Sequence, residues 1–257
     1  MTAPATPRAA LVTGAARRIG RALALDLARE GWDVALHYQS SAAEAEAVAA
    51  EIRGLGRRAV ALPADLAAES ETASLVPEAV AALGPLGLVV NNASRFERDG
   101  ALTATRASWD AHLETNLRAP FVLIQSFARQ LPEAAQGNVV NILDQRVWNL
   151  TPAFVSYTLS KAGLWTLTQT MALALAPRIR VNGIGPGPTL PSPRQSAEHF
   201  AEQSASTPLG IGTTPEEICR ALRFILAAPA MTGQMIALDG GQHLSWASPR
   251  KGWVVPE

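Results

Sequence analysis

The pair Tyr157 and Lys161 is the feature of this sequence best suited to chemistry. The chain contains two tyrosines and two lysines, and one of each lies four residues apart. On a helix this spacing puts both side chains on one face. A tyrosine has a pKa of about 10, and a lysine ammonium beside it favours the phenolate. The pair predicts a tyrosine that exchanges a proton with a substrate, while Lys161 is also suited to binding ribose hydroxyls.

Asp144 and Asn116 are candidates for the same site. Asp144 follows an apolar run and lies 13 residues before Tyr157, so that a loop can bring the two side chains together. A carboxyl group there can relay a proton if its surroundings are dry and apolar; the alternative is a residue that only caps a turn. Asn116 lies inside a predicted helix, although asparagine has a low helix propensity. This indicates that its side chain is needed for contacts outside the helix.

The elements that must position these residues alternate regularly along the chain. The predicted strands are Ala9–Thr13, Asp33–Tyr38, Arg58–Pro63, Leu86–Asn91, Asn138–Leu143, Arg180–Ile184 and Met235–Leu238. The predicted helices are Arg18–Glu30, Ala42–Leu55, Glu69–Leu83, Ser108–Leu131, Val155–Ala176 and Pro215–Ala227. This alternation predicts an α/β fold with a doubly wound parallel β-sheet, in a single domain over residues 1–257. Ligands of such sheets lie at the carboxyl ends of the strands.

Composition narrows the possible functions. The chain has 22 basic and 22 acidic residues, a net charge of zero, which argues against a general attraction to nucleic acid or to an anionic membrane. No apolar run approaches the roughly 18 residues of a membrane span, and the amino-terminal stretch lacks a signal-peptide core. The single cysteine, Cys219, cannot form an internal disulfide. We therefore expect a cytoplasmic protein with a small-molecule substrate.

The turn after the first strand predicts a phosphate site. Gly14 and Gly20 enclose a short segment between that strand and a helix. Backbone N–H groups and the helix dipole favour an anion at such a turn. Asp65, just after the third strand, is suited to accept a hydrogen bond from an adenine amino group.

The end of the second strand favours NADP over NAD. An acidic residue there would bind the ribose hydroxyls of NAD, but no carboxylate occurs before Glu44. Arg17 and Arg18 lie in the nearby turn, and Ser40 and Ser41 add hydroxyl groups. An uncompensated cationic pocket of this kind favours a 2′-phosphate; the alternative is that both arginines are solvated surface residues.

Residues 186–214 interrupt the alternation of strands and helices. Proline, serine and glycine dominate this segment, which directly follows a predicted strand. A long irregular segment in that position is typical of a substrate lid. A disordered insertion is the alternative.

Several motifs, in order, resemble the short-chain dehydrogenase/reductase family over essentially the whole chain. They are Thr13-Gly14 with Gly20, Asp65-Leu66, Asn91-Asn92-Ala93, Asn116-Leu117, Tyr157 to Lys161, Pro186-Gly187 and Asp239-Gly240-Gly241. The resemblance implies a Rossmann fold, hydride transfer with NAD(P), a catalytic relay of Asn116, Tyr157 and Lys161, and assembly as a homotetramer. Together with the arguments above, the expected cofactor-binding residues are Gly14, Arg17, Arg18, Ile19, Gly20, Tyr38, Ser40, Ser41, Asp65, Leu66, Asn92, Ala93, Ser94, Tyr157, Lys161, Pro186, Gly187 and Thr189.

Two departures from the wider family resemble its pteridine reductase branch, which includes bacterial dihydromonapterin and dihydrofolate reductases. Arg18 stands where most members have glycine, and Asp144 stands where they have serine. The stretches LHYQSSAAEA, from Leu36, and NASRF, ending at Phe96, also resemble this branch. Members of this branch often have an arginine at the position that Ser40 occupies in this chain. The serine weakens the expected binding of a 2′-phosphate.

The presence of Asp144, at a position where most members of the family have serine, favours a C=N substrate over a ketone. A serine hydroxyl polarises a carbonyl oxygen, whereas hydride addition to a ring C=N bond places negative charge on a nitrogen that needs a proton. Phe96 is expected to stack a flat substrate on the nicotinamide, with packing inside its own loop as the alternative. The expected substrate site comprises Arg18, which would bond a pterin carbonyl edge, and Ser94, Phe96, Asp144 and Tyr157; no metal site is expected.

The sequence thus predicts an NADPH-dependent reductase of a dihydropterin or dihydrofolate. A ketone reductase of a sugar, steroid or 3-oxoacyl substrate is the alternative within the family, and a non-catalytic NADP-binding regulator is the alternative outside it. The predicted helices Ser108–Leu131 and Val155–Ala176 are apolar beyond one face, which favours burial against another subunit. The tail after Gly240, with Trp246 and Trp253, is long enough to reach such a subunit.

Overall fold

The computed structural model describes residues 6–192 and 195–244. In that part of the chain the strands are β1 Ala9–Val12, β2 Asp33–Tyr38, β3 Ala59–Pro63, β4 Leu88–Asn91, β5 Gly137–Ile142, β6 Ile179–Pro186 and β7 Met235–Leu238. The α-helices are α1 Arg18–Arg29, α2 Ala42–Gly54, α3 Glu69–Leu83, α4 Arg106–Leu113, α5 Ala119–Gln130, α6 Val155–Leu175, α7 Ala197–Ala205 and α8 Pro215–Ala227. Every predicted strand is present, with ends that differ by at most two residues.

The seven strands form one parallel sheet in the order β3-β2-β1-β4-β5-β6-β7. The prediction of a doubly wound α/β fold in a single domain is confirmed. The direction of winding reverses between β1 and β4, and ligands of open α/β sheets bind at the carboxyl side of such a reversal. This geometry puts the predicted nucleotide turn and the predicted catalytic residues on one edge of the sheet.

The sheet is buried on both faces. Apolar side chains of α1, α2 and α8 cover one face, and those of α3, α5 and α6 cover the other. Strands covered on both sides read as continuous apolar runs rather than alternating ones. β1 and β4 are accordingly buried at every position.

The predicted helix Ser108–Leu131 is present, but it contains one irregular turn. α4 begins earlier, at Arg106, because Thr105 and Ser108 form a capping box. A π-helical turn, Glu114–Arg118, then separates α4 from α5. Wide turns of this kind occur often at functional sites, and this one contains Asn116.

The described part of the segment 186–214 contains more regular secondary structure than the sequence predicts. β6 continues to Pro186, and α7 occupies Ala197–Ala205 after Ser196, whose hydroxyl accepts a hydrogen bond from the backbone of His199. Trp246 and Trp253 lie outside the described residues. Within residues 6–192 and 195–244, no helix combines the length and the apolar character needed to cross a bilayer.

Candidate active site

The turn after β1 requires glycine at both predicted positions. Gly14 has a φ of +62°, a left-handed conformation that favours glycine. A Cβ at Gly14 would lie 3.1 Å from the Cα of Ala93, and one at Gly20 would lie 2.1 Å from the carbonyl oxygen of Gly14. The two glycines therefore allow β1, α1 and the end of β4 to approach each other closely.

Side chains from β1 and β4 fix this turn. Oγ1 of Thr13 accepts hydrogen bonds from the backbone N–H of Asn92, at 2.9 Å, and of Ala93, at 3.0 Å. The side-chain amide of Asn92 returns a bond to the carbonyl of Thr13, at 2.8 Å. The turn is thus held from β4 before any ligand binds.

His37 holds the turn from β2, a role that sequence reasoning missed. Its Nδ1 accepts from the backbone N–H of Gly14 at 3.1 Å, so Nε2 carries the proton and donates to the carbonyl of Ala64, at 3.1 Å. Burial lowers the pKa of His37, which favours this neutral form. The available signal was the position of His37 near the carboxyl end of the predicted strand Asp33–Tyr38, where ligands of such sheets lie.

A cavity of about 400 Å³ opens over the turn. Of the expected cofactor-binding residues, its wall contains Gly14, Arg17, Arg18, Ile19, Gly20, Asp65, Leu66, Asn92, Ala93 and Ser94. Four residues that were not predicted also line it: His37, Gln39, Arg95 and Thr115. Tyr38, Ser40 and Ser41 are not part of this wall, and their contact with a cofactor remains a prediction.

The pocket at the end of β2 is not uncompensated, contrary to the prediction. Arg17 forms an ion pair with Glu44, which follows it by 27 residues in the chain. A hydrogen bond from the backbone of Glu44 itself and the guanidinium of Arg17 hold the pKa of this carboxyl below its usual value. Both side chains are about half exposed, so a ligand phosphate can compete for Arg17.

The catalytic residues predicted from the sequence meet at the end of β5. The hydroxyl of Tyr157 donates to Oδ2 of Asp144 at 2.8 Å. Asp144 also caps the short 3₁₀ turn Gln145–Val147, accepting from the backbone N–H of Arg146 at 2.8 Å. Proton exchange with Tyr157 and capping are therefore compatible roles for this carboxyl group.

The surroundings of Asp144 include a charged side chain, unlike the dry, apolar site expected from the sequence as a condition for proton relay. The guanidinium of Arg146 lies 3.2 Å from Oδ2, and only 11% of that side chain is exposed. The same guanidinium lies over the rings of Phe96 and Phe154, at 5.5 and 5.4 Å from their centroids. A buried cation at this distance pairs with the carboxyl group of Asp144 inside the protein. Arg146 is a site residue that the sequence did not reveal.

Lys161 is buried beneath Tyr157. Its ammonium donates to the carbonyl of Ile142 at 2.8 Å and lies 5.8 Å from the centre of the tyrosine ring. Burial lowers the pKa of Lys161 from 10.5 to about 8, although the negative charge of Asp144 opposes the shift. The lysine is still mainly protonated at pH 7.

A second cavity, of about 280 Å³, adjoins the first and contains the catalytic residues. Its wall includes Phe96, Asp144, Tyr157 and Lys161, and the two cavities share Arg18, Ile19, Asn92 and Ser94. Of the segment 186–214, the residues Pro186, Gly187, Pro188, Thr189, Leu190, Ser192, Gln195 and Gln203 complete this wall. A nucleotide over the first cavity and a small substrate in the second would be direct neighbours.

Comparison with known proteins agrees with this geometry. A family model described as short chain dehydrogenase matches residues 8–202. The chain belongs to this family. The predictions of family membership and of an oxidoreductase are confirmed.

Two solved structures of the family are close to this chain. FolM alternative dihydrofolate reductase 1 from Brucella canis, complexed with NADP, is 47% identical, with a TM-score of 0.92 over 97% of this chain and 99% of that one. The corresponding protein from Brucella suis, also with NADP, is 48% identical, with a TM-score of 0.91 and the same coverage. A curated relative, the 3-oxoacyl-acyl-carrier-protein reductase FabG of Staphylococcus aureus, is 34% identical over 243 residues, 92% of this chain and 98% of its own.

Asn116, a relay residue in the family resemblance, acts here as a loop anchor. Its Oδ1 accepts from the backbone N–H of Arg95 at 2.8 Å and from the hydroxyl of Ser94 at 3.2 Å. Its amide donates to the carbonyl of Arg95 and to Oγ of Ser160, both at 3.0 Å. None of these bonds reaches Lys161, so a part of Asn116 in proton relay remains a prediction.

Phe96 packs inside the protein and also lines the catalytic cavity. Its ring stacks on Phe154 at 4.8 Å and meets Tyr157 edge-on at 4.7 Å. Phe154, with a φ of +63°, immediately precedes α6. Both interpretations of Phe96 from the sequence are thus compatible with its position, and stacking on a substrate remains a prediction.

Asp99 fixes the start of the helix that carries Tyr157. Its two carboxyl oxygens accept from the backbone N–H and from the hydroxyl of Ser156, and its carbonyl accepts from the N–H of Phe154. Burial by itself raises the pKa of Asp99, but the hydrogen bonds from Ser156 and Ser108 lower it below its usual value. This carboxylate anchors the first turn of α6.

Arg18 connects the nucleotide turn to the segment 186–214. Its φ of +56° is in the left-handed region, which favours glycine, and costs about 1 kcal/mol. Its guanidinium donates to the carbonyl oxygens of Leu190, at 3.1 Å, and Pro191, at 2.8 Å. Contacts of Arg18 with a phosphate or a substrate remain predictions.

Proposed function

We propose that this chain is an NADPH-dependent reductase of a dihydropterin or a dihydrofolate. The observation that carries the proposal is the hydrogen bond between Tyr157 and Asp144, at 2.8 Å, on the wall of the catalytic cavity. An alcohol at position 144 would serve a carbonyl oxygen, whereas a carboxylate paired with a phenol can move a proton to a ring nitrogen. The likeness to two NADP-bound FolM structures, at 47% and 48% identity, supports the same choice.

The described residues fit a dinucleotide. The cavity over the Gly14 turn adjoins the catalytic cavity, and its wall contains three arginines, Arg17, Arg18 and Arg95. When bound, NADPH supplies the hydride. Gly14 and Gly20 allow the backbone to approach the phosphates, Arg17 is suited to a 2′-phosphate, and Lys161 is suited to the nicotinamide ribose. The segment 186–214 would cover the substrate as a lid.

The chain's own residues move the proton. The shared hydrogen bond lets a proton pass between Oη of Tyr157 and Oδ2 of Asp144. The carboxylate of Asp144 is 14% exposed and can be supplied with a proton from solvent. The ammonium of Lys161 stabilises the tyrosine when it has given up its proton. In this scheme Arg146 keeps the carboxylate in place, and Phe96 orients a flat substrate.

A side-by-side screen tests the proposal. NADPH oxidation is measured with dihydrobiopterin, dihydromonapterin, dihydrofolate and a set of ketones that includes a 3-oxoacyl thioester. We expect turnover of at least one of the three heterocycles, with kcat/KM at least tenfold above that of every ketone. A preference for a ketone overturns the proposal.

A ketone reductase is the second candidate function. The 34% identity to the FabG reductase of Staphylococcus aureus favours it. Asp144, which replaces the serine of the wider family, argues against it. The third possibility, a non-catalytic NADP-binding regulator, predicts no NADPH oxidation with any substrate, and the contact between Tyr157 and Asp144 argues against that outcome.

We further propose a cytoplasmic homotetramer. Several large apolar side chains on helices predicted to meet another subunit are exposed, among them Trp109 at 40%, Leu159 at 46% and Leu173 at 83%. Apolar surface of this kind favours association. Sedimentation at micromolar concentration should give a species of four chains, and a stable monomer would contradict this. Cys219 is a free, buried thiol, as suits a reducing compartment.

A further inference from the structure

Gln145 is a buried glutamine on the wall of the catalytic cavity to which the proposed mechanism gives no role. It follows Asp144 directly and begins the 3₁₀ turn Gln145–Val147. Only 3% of the residue is exposed, and it shares the cavity wall with Phe96, Asp144 and Tyr157. Its place beside the proton-transfer pair makes it a near neighbour of any substrate that Tyr157 reaches.

The side-chain oxygen of Gln145 is a buried acceptor without a donor. Oε1 is out of contact with solvent and accepts no hydrogen bond from any residue in 6–192 or 195–244. The backbone carbonyl of the same residue is fully used, since it accepts from the N–H of Trp148 at 3.0 Å and of Asn149 at 3.2 Å. A buried amide oxygen that lacks a partner is uncommon in folded proteins and calls for an explanation.

A comparison with Asn116 shows that burial near the catalytic cavity does not by itself leave a carboxamide without partners, and among the residues on the wall of that cavity Gln145 has the one carboxamide oxygen in this state within the described chain. Both carboxamides are buried close to the catalytic cavity. The carboxamide of Asn116 makes four hydrogen bonds within the protein, which explains its burial by structure alone. The carboxamide oxygen of Gln145 makes none with the described residues, so hydrogen bonds within that part of the chain do not explain its burial.

We propose that Gln145 determines substrate specificity by accepting a hydrogen bond from a ring N–H of the substrate. This inference rests on the proposed function and names the chemical feature that the site recognises. Dihydropterins and dihydrofolate have N–H donors on their ring edges, whereas ketones such as 3-oxoacyl thioesters have none beside the reacting carbonyl. A substrate without the donor leaves the buried oxygen unpaired, which is how sites built for hydrogen bonding reject analogues.

The test combines a variant with substrate analogues. Gln145→Met keeps the length of the side chain and removes the acceptor. We expect kcat/KM for the dihydropterin to fall about 10- to 100-fold, mainly through a higher KM, while the Kd for NADPH, measured by protein fluorescence, stays within twofold. Gln136→Met is the matched control, because Gln136 is an exposed glutamine before β5 that does not line the cavity; we expect a change of less than threefold.

Analogues that each block one ring N–H, by methylation or by replacement of the amino group, identify the donor. We expect the wild-type enzyme to lose at least tenfold in kcat/KM with one analogue, and Gln145→Met to lose nothing further with that analogue. Gln145→Leu repeats both measurements if the methionine variant does not fold.

The possible failures are distinguishable. If the wild-type enzyme reduces no dihydropterin or dihydrofolate, the proposed function and this inference fall together. If it reduces them but Gln145→Met equals the wild type, or every analogue affects both proteins alike, only the role of Gln145 is wrong. If the variant instead loses affinity for NADPH, the buried oxygen serves the cofactor, and the inference is likewise overturned.

Discussion

The two ends of the candidate site lie on one sheet edge but are built from different interactions. At the nucleotide end, the groups that fix the structure are backbone atoms and neutral side chains, such as Thr13, Asn92 and His37, and the charges lie outside. The side chains of Arg17 and Glu44 are 60% and 46% exposed. At the catalytic end the charges are inside, since the side chains of Arg146 and Asp144 are only 11% and 14% exposed.

This difference predicts where substitutions will have large effects. Exposed ion pairs contribute little because water screens them, whereas breaking a buried pair leaves a charge without compensation. The nucleotide end should therefore tolerate changes to its charges, with graded effects on affinity. The catalytic end should respond to similar changes with losses of turnover or stability.

The largest expected effect is that of Asp144→Ala on turnover. Removal of the carboxylate takes away the acceptor of the Tyr157 hydroxyl and the path of the proton. We expect kcat for the dihydropterin to fall about 10²- to 10⁴-fold, with NADPH affinity nearly unchanged. Asp110→Ala is the control, because that carboxylate pairs with Arg106 on the exposed side of α4. Undiminished turnover in Asp144→Ala would refute the proton-relay role.

Arg146→Gln tests the buried pair through stability. Asp144 then remains mostly buried without its cation, and we expect the free energy of unfolding to fall by roughly 3 kcal/mol. Arg146→Lys should recover part of the loss because it keeps the charge. Urea unfolding provides the measurement, and Arg106→Gln, at an exposed pair, should leave the midpoint unchanged. Equal effects at the two arginines would contradict the contrast between the buried and the exposed pairs.

The pH dependence of the free energy of unfolding tests the burial of the Lys161 ammonium. Its pKa is lowered to about 8 in the folded protein, from 10.5. Between these values the unfolded chain binds more protons than the folded one, so the contribution of Lys161 to stability increases as pH rises. Relative to Lys161→Met, the wild type should gain roughly 2 to 3 kcal/mol in free energy of unfolding between pH 7 and pH 10. A difference that does not change with pH would show that the ammonium is not desolvated.

The features of the two ends that could be predicted from the sequence are those set by residues close together in the chain. The spacing of Tyr157 and Lys161, and the glycines at positions 14 and 20, point to a helix face and a tight turn because neighbouring residues alone determine both. The alternation of apolar runs with segments of helical periodicity was sufficient to predict the parallel sheet. Asp144 was recognised because it ends a strand 13 residues before the tyrosine.

The missed features depend on contacts between distant segments. Arg146 lies in a short polar stretch and has the pattern of a solvated residue, whereas in the folded protein its guanidinium lies over the rings of Phe96 and Phe154. The ion pair between Arg17 and Glu44 joins the start of α1 to α2, and the two residues are 27 positions apart. No periodic pattern in the sequence indicates such a contact. The unpaired oxygen of Gln145 is a property of the assembled cavity and has no counterpart in the sequence.

The smallest expected effect is also the most direct test of the nucleotide end. Glu44→Gln removes the exposed carboxylate that pairs with Arg17. The guanidinium of Arg17 then does not have to break an ion pair before it binds a 2′-phosphate. We expect NADPH affinity to rise about two- to fivefold at low salt, and the gain to shrink as salt screens the pair. NADH, which has no 2′-phosphate, should gain much less.

The matched control is Glu46→Gln, which breaks the exposed pair with Arg53 on the same helix and should leave the affinity for both nucleotides unchanged. Fluorescence titration of both nucleotides at two salt concentrations is sufficient for the measurement. If NADPH and NADH gain equally from Glu44→Gln, the substitution acts through general charge. Arg17 is then not the group that distinguishes the two cofactors, and selection between them must lie with Arg18 or with the hydroxyls that follow β2.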